Sequence, residues 1–228
     1  MNLERRSTEI EIMDDLSISG SVVAQTLREL DTINQLLGDN QISLSAFKKV
    51  LKSSKIDSFA DLGCGSADIL KRMSGLCPSA QYVGFDANPH IIDYAVDNVA
   101  THKNISALEE NIFSSSFQNR SFDVIHCCLF LHHFTHDELV DLFKQFNKQA
   151  KKAIIVNDLH RHFLAYYSIK WITRLFSKSF MVRNDAAVSV ARGFKKSELT
   201  SILSDAGISN YTLKWKWAFR WQLVITCD

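Results

Sequence analysis

Apolar residues at helical spacing dominate the first part of the chain. They recur every three or four positions within residues 21–38, and Gly38 follows as a helix stop signal. The same spacing predicts a second, short helix at about residues 43–53. We therefore expect residues 1–41 to form a helical cap segment ahead of one larger domain, residues 42–228.

Beyond the second helix, the pattern changes to short apolar segments that alternate with amphipathic ones. The segments VIHCCLF and AIIVN are apolar on both faces, as is typical of strands that helices cover on both sides. Strands alternating with helices of about 10–15 residues indicate right-handed βαβ units and a parallel sheet. At the C-terminus the period becomes two, which predicts an edge hairpin whose large side chains face the core. These side chains are Trp215, Trp217, Phe219 and Trp221.

Residues 160–193 interrupt the alternation of strands and helices. The segment is too long for an ordinary connection, so we expect it to carry structure of its own. Lys170, Arg174 and Lys178 recur there at every fourth position. The segment can be an aromatic lid over a flat, apolar substrate, an ordinary amphipathic helix, or a basic stripe that touches a membrane surface. A second helical face carries Leu164, Tyr167, Trp171 and Leu175.

Composition and charge exclude several classes of protein. Of the 228 residues, 46% are hydrophobic and 22% charged, which excludes a disordered chain. The 26 basic and 25 acidic residues leave a net charge of +1, so no overall field attracts nucleic acid. The five cysteines form no C-x-x-C pair, so we expect reduced thiols and no bound metal. The charged N-terminus and the lack of a long apolar run favour a cytoplasmic protein.

A glycine turn, DLGCGSA at residues 61–67, lies between a predicted strand and a predicted helix. Such a turn lets a ligand approach the backbone and the free N–H groups of the helix closely. Asp86 ends the next strand, where an acid can accept hydrogen bonds from both hydroxyls of an adenosine ribose. A dinucleotide fingerprint would need glycine in place of Asp68. Asp61 would repel a pyrophosphate but suits an ammonium group, so these residues favour S-adenosylmethionine.

Three sequence blocks resemble the class I S-adenosylmethionine-dependent methyltransferases. DLGCGSA, VGFDAN and FDVIHCCLFLHHF occur in that family's order and spacing, and the resemblance covers about residues 42–228. It implies an α/β, Rossmann-like, seven-stranded mixed sheet, mostly parallel with an antiparallel C-terminal strand, with helices on both faces and a helical lid. It also implies that Asp86 holds the ribose, and that Asn111 takes the adenine position where the family commonly has an acid. The expected cofactor-binding residues are Asp61, Gly63, Cys64, Gly65, Asp86, Ala87, Asn111, Ile112 and Cys128.

Candidate catalytic residues follow two strands at their carboxyl ends, where open α/β sheets bind ligands. His132 and His133 follow one strand; as neighbours, they are not both expected to face the pocket. His126 lies within that strand and is expected in the core. After the next strand, Asp158 could pair with His160 as a base, or with Arg161 as a structural ion pair.

A second, narrower resemblance concerns the substrate. NDLHR, an aromatic helix and SVARGF together resemble methyltransferases of bacterial polyketide and quinone-like biosynthesis, with Arg192 as the matching basic residue. The candidate substrate-contacting residues are Arg161, Tyr166, Trp171 and Arg192.

Three functions remain open at this point. The first is an enzyme that methylates oxygen of a small phenolic, polyketide-like or quinone-like molecule by in-line SN2 transfer, with carbon as the second choice. The second is an RNA or other macromolecule methyltransferase, because Lys214, Lys216 and Arg220 interleave with tryptophans. No motif for attack by a base amine accompanies them, so we expect no nucleic-acid partner. The third is a cofactor-binding subunit without turnover.

Overall fold

The computed structural model describes residues 3–16 and 18–227. Within these residues, helices and strands alternate from β1 to β5, and two further helices separate β5 from the last helix and the C-terminal hairpin. In chain order the elements are α1 (Ser21–Leu36), α2 (Asp39–Ser53), β1 (Ser58–Leu62), α3 (Asp68–Leu76), β2 (Gln81–Asp86), α4 (Pro89–Val99), β3 (Ile105–Glu109), α5 (Ser115–Gln118), β4 (Phe122–Cys128), α6 (His136–Gln149), β5 (Ala150–Leu159), α7 (Phe163–Phe176), α8 (Phe180–Arg192), α9 (Lys196–Asp205), β6 (Tyr211–Lys216) and β7 (Arg220–Thr226).

The strands form one seven-stranded sheet in the order β3-β2-β1-β4-β5-β7-β6. β1 to β5 pair in parallel, whereas β7 is antiparallel to both β5 and β6. Only β7 therefore runs against the other strands of this sheet. The predicted α/β class, the seven strands and the mostly parallel arrangement are confirmed.

Apolar side chains pack on both faces of the sheet, as the two-sided apolar strands predicted. On one face Phe47 of α2 and Met73 of α3 pack in a cluster with Phe59 of β1. On the other face Phe143 of α6 and Leu199 of α9 belong to a second cluster around the same sheet. The sheet is buried between these layers, so its ligand-binding edge is the one formed by the carboxyl ends of the parallel strands.

The start of α2 differs from the sequence prediction. The helix begins at Asp39 instead of residue 43, directly after Gly38, which adopts a left-handed conformation with φ +77°. The polar residues at the start of this helix are typical of a loop in sequence. In the structure, however, Asp39 is buried and its Oδ1 lies 3.0 Å from Arg220 Nε. The expected division at residues 41 and 42 falls inside this helix, and the two-part domain organisation stays a prediction.

Two C-terminal predictions differ in outcome. Residues 160–193 contain α7 and α8, so the long interruption does carry its own structure. The hairpin is also present, but the expectation that its alternating aromatic residues all face the core was wrong. Trp221 is buried, whereas Trp215 and Trp217 are exposed, because Trp215 lies on the edge strand β6 and Trp217 in the turn of residues 217–219 between β6 and β7. Within the described residues, none of the helices is both long and apolar enough to cross a bilayer.

Candidate active site

A cavity of about 810 Å³ opens at the carboxyl ends of β1, β2 and β4. Its walls come from the turn after β1, from α1, from the inner sides of α7 and α8, and from the segment that precedes α1. This is the edge at which open parallel sheets bind ligands. The volume lies within the range of about 300–1,000 Å³ that is usual for small-molecule sites.

Backbone hydrogen bonds fix the conformation of the glycine turn. The N–H groups of Gly63 and Cys64 both donate to the carbonyl oxygen of Phe85, at 2.8 and 3.0 Å. Gly63 has φ +67°, and a Cβ at this position would overlap the ring of Phe130. Gly65 has φ +53° and faces open space, with its nearest neighbour, Leu27 Cδ2, at 3.9 Å from a built Cβ. The turn therefore presents bare backbone to the cavity.

Asp86 lies beside this turn. Its Oδ2 accepts a hydrogen bond from Gly65 N at 3.3 Å, and its Oδ1 accepts one from Asn88 N at 3.0 Å. Burial raises the pKa of Asp86, while the two backbone donors act in the opposite direction. Each carboxylate oxygen has two acceptor sites, so the group retains capacity for ligand hydroxyls.

The carboxylate of Asp61 is buried and has a partner within the protein, which the sequence did not indicate. It is buried, and its Oδ1 lies 2.7 Å from Nδ1 of His126, whose Nε2 lies 2.9 Å from Ser43 Oγ. His126 is fully buried, which confirms the expectation of a core histidine. The carboxylate still lines the cavity, and the histidine fixes its orientation.

The predicted adenine position lies on the opposite side of Asp86 from β1. Asn111 and Ile112 both line the cavity, and Asn111 Oδ1 accepts a hydrogen bond from Phe113 N at 2.9 Å. All nine expected cofactor-binding residues line this same cavity, and their contact with a cofactor stays a prediction. They are Asp61, Gly63, Cys64, Gly65, Asp86, Ala87, Asn111, Ile112 and Cys128.

His132 and His133 both line the cavity, so the expectation that only one could face it was wrong. They lie in a 3₁₀ turn, Leu131–His133, and their ring centroids are 4.3 Å apart. Neighbouring side chains point to opposite faces only in a strand, whereas in a 3₁₀ turn they differ by about a third of a turn.

His132 is held between two carboxylates. Its Nδ1 lies 2.7 Å from Asp158 Oδ1, and its Nε2 lies 3.4 Å from Glu11 Oε1. Burial lowers the pKa of His132, but Asp158 and Glu11 outweigh burial and raise the pKa to about 9. At neutral pH the ring is therefore a cation and a donor, which suits it to orient groups and not to act as a base.

His133 is the more accessible of the two rings, with 22% of its side chain exposed, and its Nδ1 lies 2.7 Å from Asp14 Oδ1. Arg192 Nη1 contacts the other oxygen, Oδ2, at 2.8 Å. Burial raises the pKa of Asp14, but His133 and Arg192 together lower it to about 2. A carboxylate beside one ring nitrogen leaves the other nitrogen available, which suits the ring to act as a base.

Glu11 and Asp14 are the functional candidates that the sequence analysis did not single out. They belong to a segment that is docked on α8, where Asp185 accepts hydrogen bonds from Ile12 N and Met13 N at 2.9 and 3.0 Å. The only sequence signal was an acidic cluster without periodicity.

The side chains of Glu11, His132 and His133 also offer possible metal-ligand atoms within 4.8 Å of one another, although each ring already faces a carboxylate.

The expected pairing of Asp158 with His160 or Arg161 is absent. Asp158 pairs with His132, whereas His160 lies outside the cavity and its Nδ1 accepts a hydrogen bond from Trp215 Nε1 at 3.1 Å. Arg161 is buried, and its Nη2 lies 2.6 Å from Glu198 Oε1. Arg161 lies in the protein interior, and His160 lies near the outer surface. Neither side chain therefore reaches the cavity.

The expected substrate contacts also differ, because none of the four proposed residues lines the cavity. Arg161 and Arg192 are buried in ion pairs, Tyr166 is buried, and Trp171 is 71% exposed on the outer side of α7. Helices α7 and α8 contribute other side chains to the cavity. They include Ala165, Ser168, Ile169 and Ile172 of α7 and Val182, Ala186 and Val190 of α8.

Comparisons with known proteins agree with this geometry. Residues 59–153 match a family model described as a methyltransferase domain. No curated protein sequence matches the chain significantly.

Among solved structures, the plantazolicin methyltransferase BpumL in complex with SAH is 16% identical, with a TM-score of 0.66 over 91% of this chain and 94% of that one. Magnesium protoporphyrin IX methyltransferase from Synechocystis PCC 6803 with bound SAH is 16% identical, with a TM-score of 0.57 over 84% of each chain. Human N-acetylserotonin methyltransferase in complex with SAM is 14% identical, with a TM-score of 0.63 over 90% of this chain and 56% of that one. At these identities the likeness is one of fold. Residues 59–153 therefore match a methyltransferase domain, and the seven-stranded sheet has the fold of these methyltransferase structures.

Proposed function

We propose that the enzyme methylates an oxygen atom of a small phenolic, polyketide-like or quinone-like molecule. The observation that carries this proposal is the single cavity that runs from the glycine turn and Asp86 to His132, His133 and the lid helices. Cofactor and acceptor would occupy the two parts of this cavity. A ring carbon of a quinol is the second choice for the attacking atom.

The cofactor would lie along the carboxyl ends of β1 and β2. The residues present fit it, because Asp86 offers acceptor oxygens for ribose hydroxyls and the turn at Gly63 and Gly65 offers close backbone approach. Asp61 would face the ammonium group, and Asn111 and Ile112 would contact the adenine. Bound S-adenosylmethionine supplies an electrophilic methyl carbon, and the chain supplies position and proton transfer.

The acceptor would lie between the histidine turn and the lid. Apolar side chains line this part of the cavity, including Met13, Leu16, Ile33, Ile169 and Ile172. Such walls favour a flat or greasy molecule, and they exclude water from the reacting atoms.

His133 is proposed as the residue that accepts the acceptor's hydroxyl proton. Asp14 Oδ1 lies 2.7 Å from its Nδ1, which leaves Nε2 for the hydroxyl group. His132, as a cation held by Asp158, would orient the acceptor oxygen through its charge and not take a proton. Alignment can lower such a barrier by about 7–11 kcal/mol, and a positioned base adds about 10²–10⁴-fold.

A transfer screen with S-adenosylmethionine that carries a tritiated methyl group tests this proposal. The acceptors are phenolic lipids, quinols, tRNA and peptides, each incubated with the full chain. We expect label in phenols or quinols, and mass spectrometry of the product then distinguishes a methyl ether from a ring methyl group. Label that enters only tRNA or only peptide would overturn the proposal.

A further inference from the structure

The outer face of α7 is apolar and has no partner among the described residues. Leu164, Tyr167, Trp171 and Leu175 lie along one side of this helix, with exposed fractions of 49%, 58%, 71% and 64%. A neighbouring side of the helix, with Ala165, Ile169 and Ile172, lines the active-site cavity. Monomeric soluble proteins rarely expose an apolar stripe of this length, so the face has a function or a partner.

The same surface continues beyond α7 onto the β6–β7 turn through a series of aromatic contacts. The ring of His162 lies 4.7 Å from Phe163 and stacks on Phe219 at 5.1 Å. Phe219 in turn contacts Trp217, whose side chain is 72% exposed. We call the outer face of α7 and this turn the aromatic surface.

Charge is distributed unevenly around this surface. Lys170, Arg174, Lys178 and Arg183 are all exposed, whereas no aspartate or glutamate occurs between Asp158 and Asp185. The whole chain has a net charge of only +1, so this segment concentrates positive charge that acidic residues balance elsewhere. Lysine and arginine side chains can lie along apolar surface and extend their charged ends toward headgroups.

We propose that the aromatic surface docks this enzyme on the surface of an anionic lipid bilayer. An exposed helix with a tryptophan, a tyrosine and leucines on one face and basic residues beside them is the usual composition of interfacial membrane helices. Aromatic side chains prefer the headgroup level, and each basic residue near an anionic surface strengthens binding. Two other occupants fit less well. Leu164 and Leu175 offer no stacking surface for RNA bases, and a second copy of the chain would bring like charges together.

Docking would place the active site beside its lipid-borne acceptors. Ile169 and Ile172 of α7 line the cavity, while Trp171 between them points outward. One helix thus separates the proposed bilayer from the cavity. Docking itself does not depend on which acceptor is methylated, and its test does not measure turnover.

Vesicle flotation with the full chain tests the proposal. One set of vesicles contains phosphatidylcholine alone, and the other contains phosphatidylcholine mixed with phosphatidylglycerol. We expect the protein to float with the mixed vesicles, and we expect added salt to weaken this binding because salt screens exposed charges. Equal binding to both sets, or none to the mixed set, would overturn the proposal.

Two double variants locate the binding surface. Lys170→Glu with Arg174→Glu reverses two charges on α7, and we expect the partition coefficient to fall roughly 10–100-fold. Lys48→Glu with Lys52→Glu makes the same charge change at the same spacing on the exposed side of α2, and we expect little effect. Equal losses in both variants would assign the binding to net charge alone and refute a specific surface.

The apolar side chains provide an independent measurement. Trp171→Ser with Leu175→Ser keeps every charge, and we expect it to reduce flotation while circular dichroism and binding of S-adenosylhomocysteine are retained. Two findings would contradict the docking proposal and assign α7 to another partner. One is a wild-type dimer in sedimentation that the α7 variants dissociate and that does not bind vesicles. The other is binding of polyuridylate through α7 with no vesicle binding.

Discussion

The carboxylate of Asp86 accepts a hydrogen bond from the backbone N–H of Gly65 at 3.3 Å. The acid that ends β2 therefore supports the turn that follows β1. The two strands are parallel neighbours, with Leu62 paired to Phe85, so their carboxyl ends meet at one edge of the sheet. Two sequence blocks about twenty residues apart thus line one cavity, the proposed cofactor site.

Removal of the Asp86 carboxylate is expected to weaken cofactor binding. Asp86→Ala removes the proposed acceptor for ribose hydroxyls and one support of the glycine turn, so we expect the Kd for S-adenosylhomocysteine to rise about 10–100-fold. Isothermal titration calorimetry measures this change. His133→Ala serves as the comparison, since His133 lies on the proposed acceptor side of the cavity and its loss should leave this Kd nearly unchanged. Equal losses of affinity in the two variants would remove the proposed division of roles.

A methyl group at position 63 is expected to disturb the glycine turn. In Gly63→Ala the new Cβ would overlap the Phe130 ring, and φ +67° is unfavourable for alanine, so we expect a loss of stability of about 1–3 kcal/mol with weaker cofactor binding. Gly75→Ala is the matched control in α3. Its Cβ would meet nothing within 4 Å, so stability should be unchanged or higher by about 0.5–1 kcal/mol. Urea denaturation of both variants tests whether the loss of stability is specific to position 63.

Stability is expected to fall as pH rises from about 6.5 to about 9. The pKa of His132 is raised in the folded state from 6.5 to about 9 by Asp158 and Glu11, which outweigh burial. A raised pKa means that the stabilisation is complete below the unfolded value and is lost as pH rises through the folded value. We expect this ring to contribute at most about 3 kcal/mol.

Urea denaturation of the wild-type protein and of His132→Gln across this pH range checks that expectation. The variant should show a flatter dependence on pH, since a glutamine does not titrate. His136→Gln, which alters an exposed histidine paired with Asp205, should keep the wild-type dependence. If the stability of His132→Gln depends on pH as strongly as that of the wild-type protein, the pH dependence does not come from His132.

His133 and Asp14 are expected to affect turnover more than binding. His133→Ala should lower kcat about 10²–10⁴-fold, because it removes the proposed base. Asp14→Asn should lower kcat less, since the ring remains but loses its carboxylate partner. His160→Ala, outside the cavity, should leave kcat near the wild-type value. Initial rates at saturating S-adenosylmethionine distinguish these outcomes, and an unchanged kcat in His133→Ala would exclude it as a base.

Arg161 is expected to act on stability. It is buried against Glu198, and removing one partner of such a pair costs about 3–5 kcal/mol. Arg161→Met should therefore lower the free energy of unfolding strongly, whereas the remaining folded enzyme should bind its acceptor with an unchanged KM. Thermal unfolding and acceptor titration together separate this result from a direct substrate contact.

Local patterns in the sequence predicted much of the fold. Apolar periodicity located the alternating helices and strands, and the glycine turn with Asp86 located the edge at which the cavity opens, because the carboxyl ends of parallel strands in βαβ units meet at one edge of the sheet. The predicted base at His133 also lies in the cavity. These features depend on neighbours in sequence or on adjacent parallel strands, which local rules describe well.

The tertiary structure alone decided which polar residues reach the ligand. Arg161 and Arg192 are of a residue type that often contacts substrates, yet both are buried in ion pairs. Glu11 and Asp14 lie in a segment without periodicity, yet they meet His132 and His133 more than a hundred residues away. A charged side chain has the same appearance in sequence whether it faces solvent, a ligand or a buried partner. The sequence therefore determined the sheet and its binding edge, whereas the packing of distant segments determined which charges face the cavity, since burial and pairing depend on contacts that no local pattern encodes.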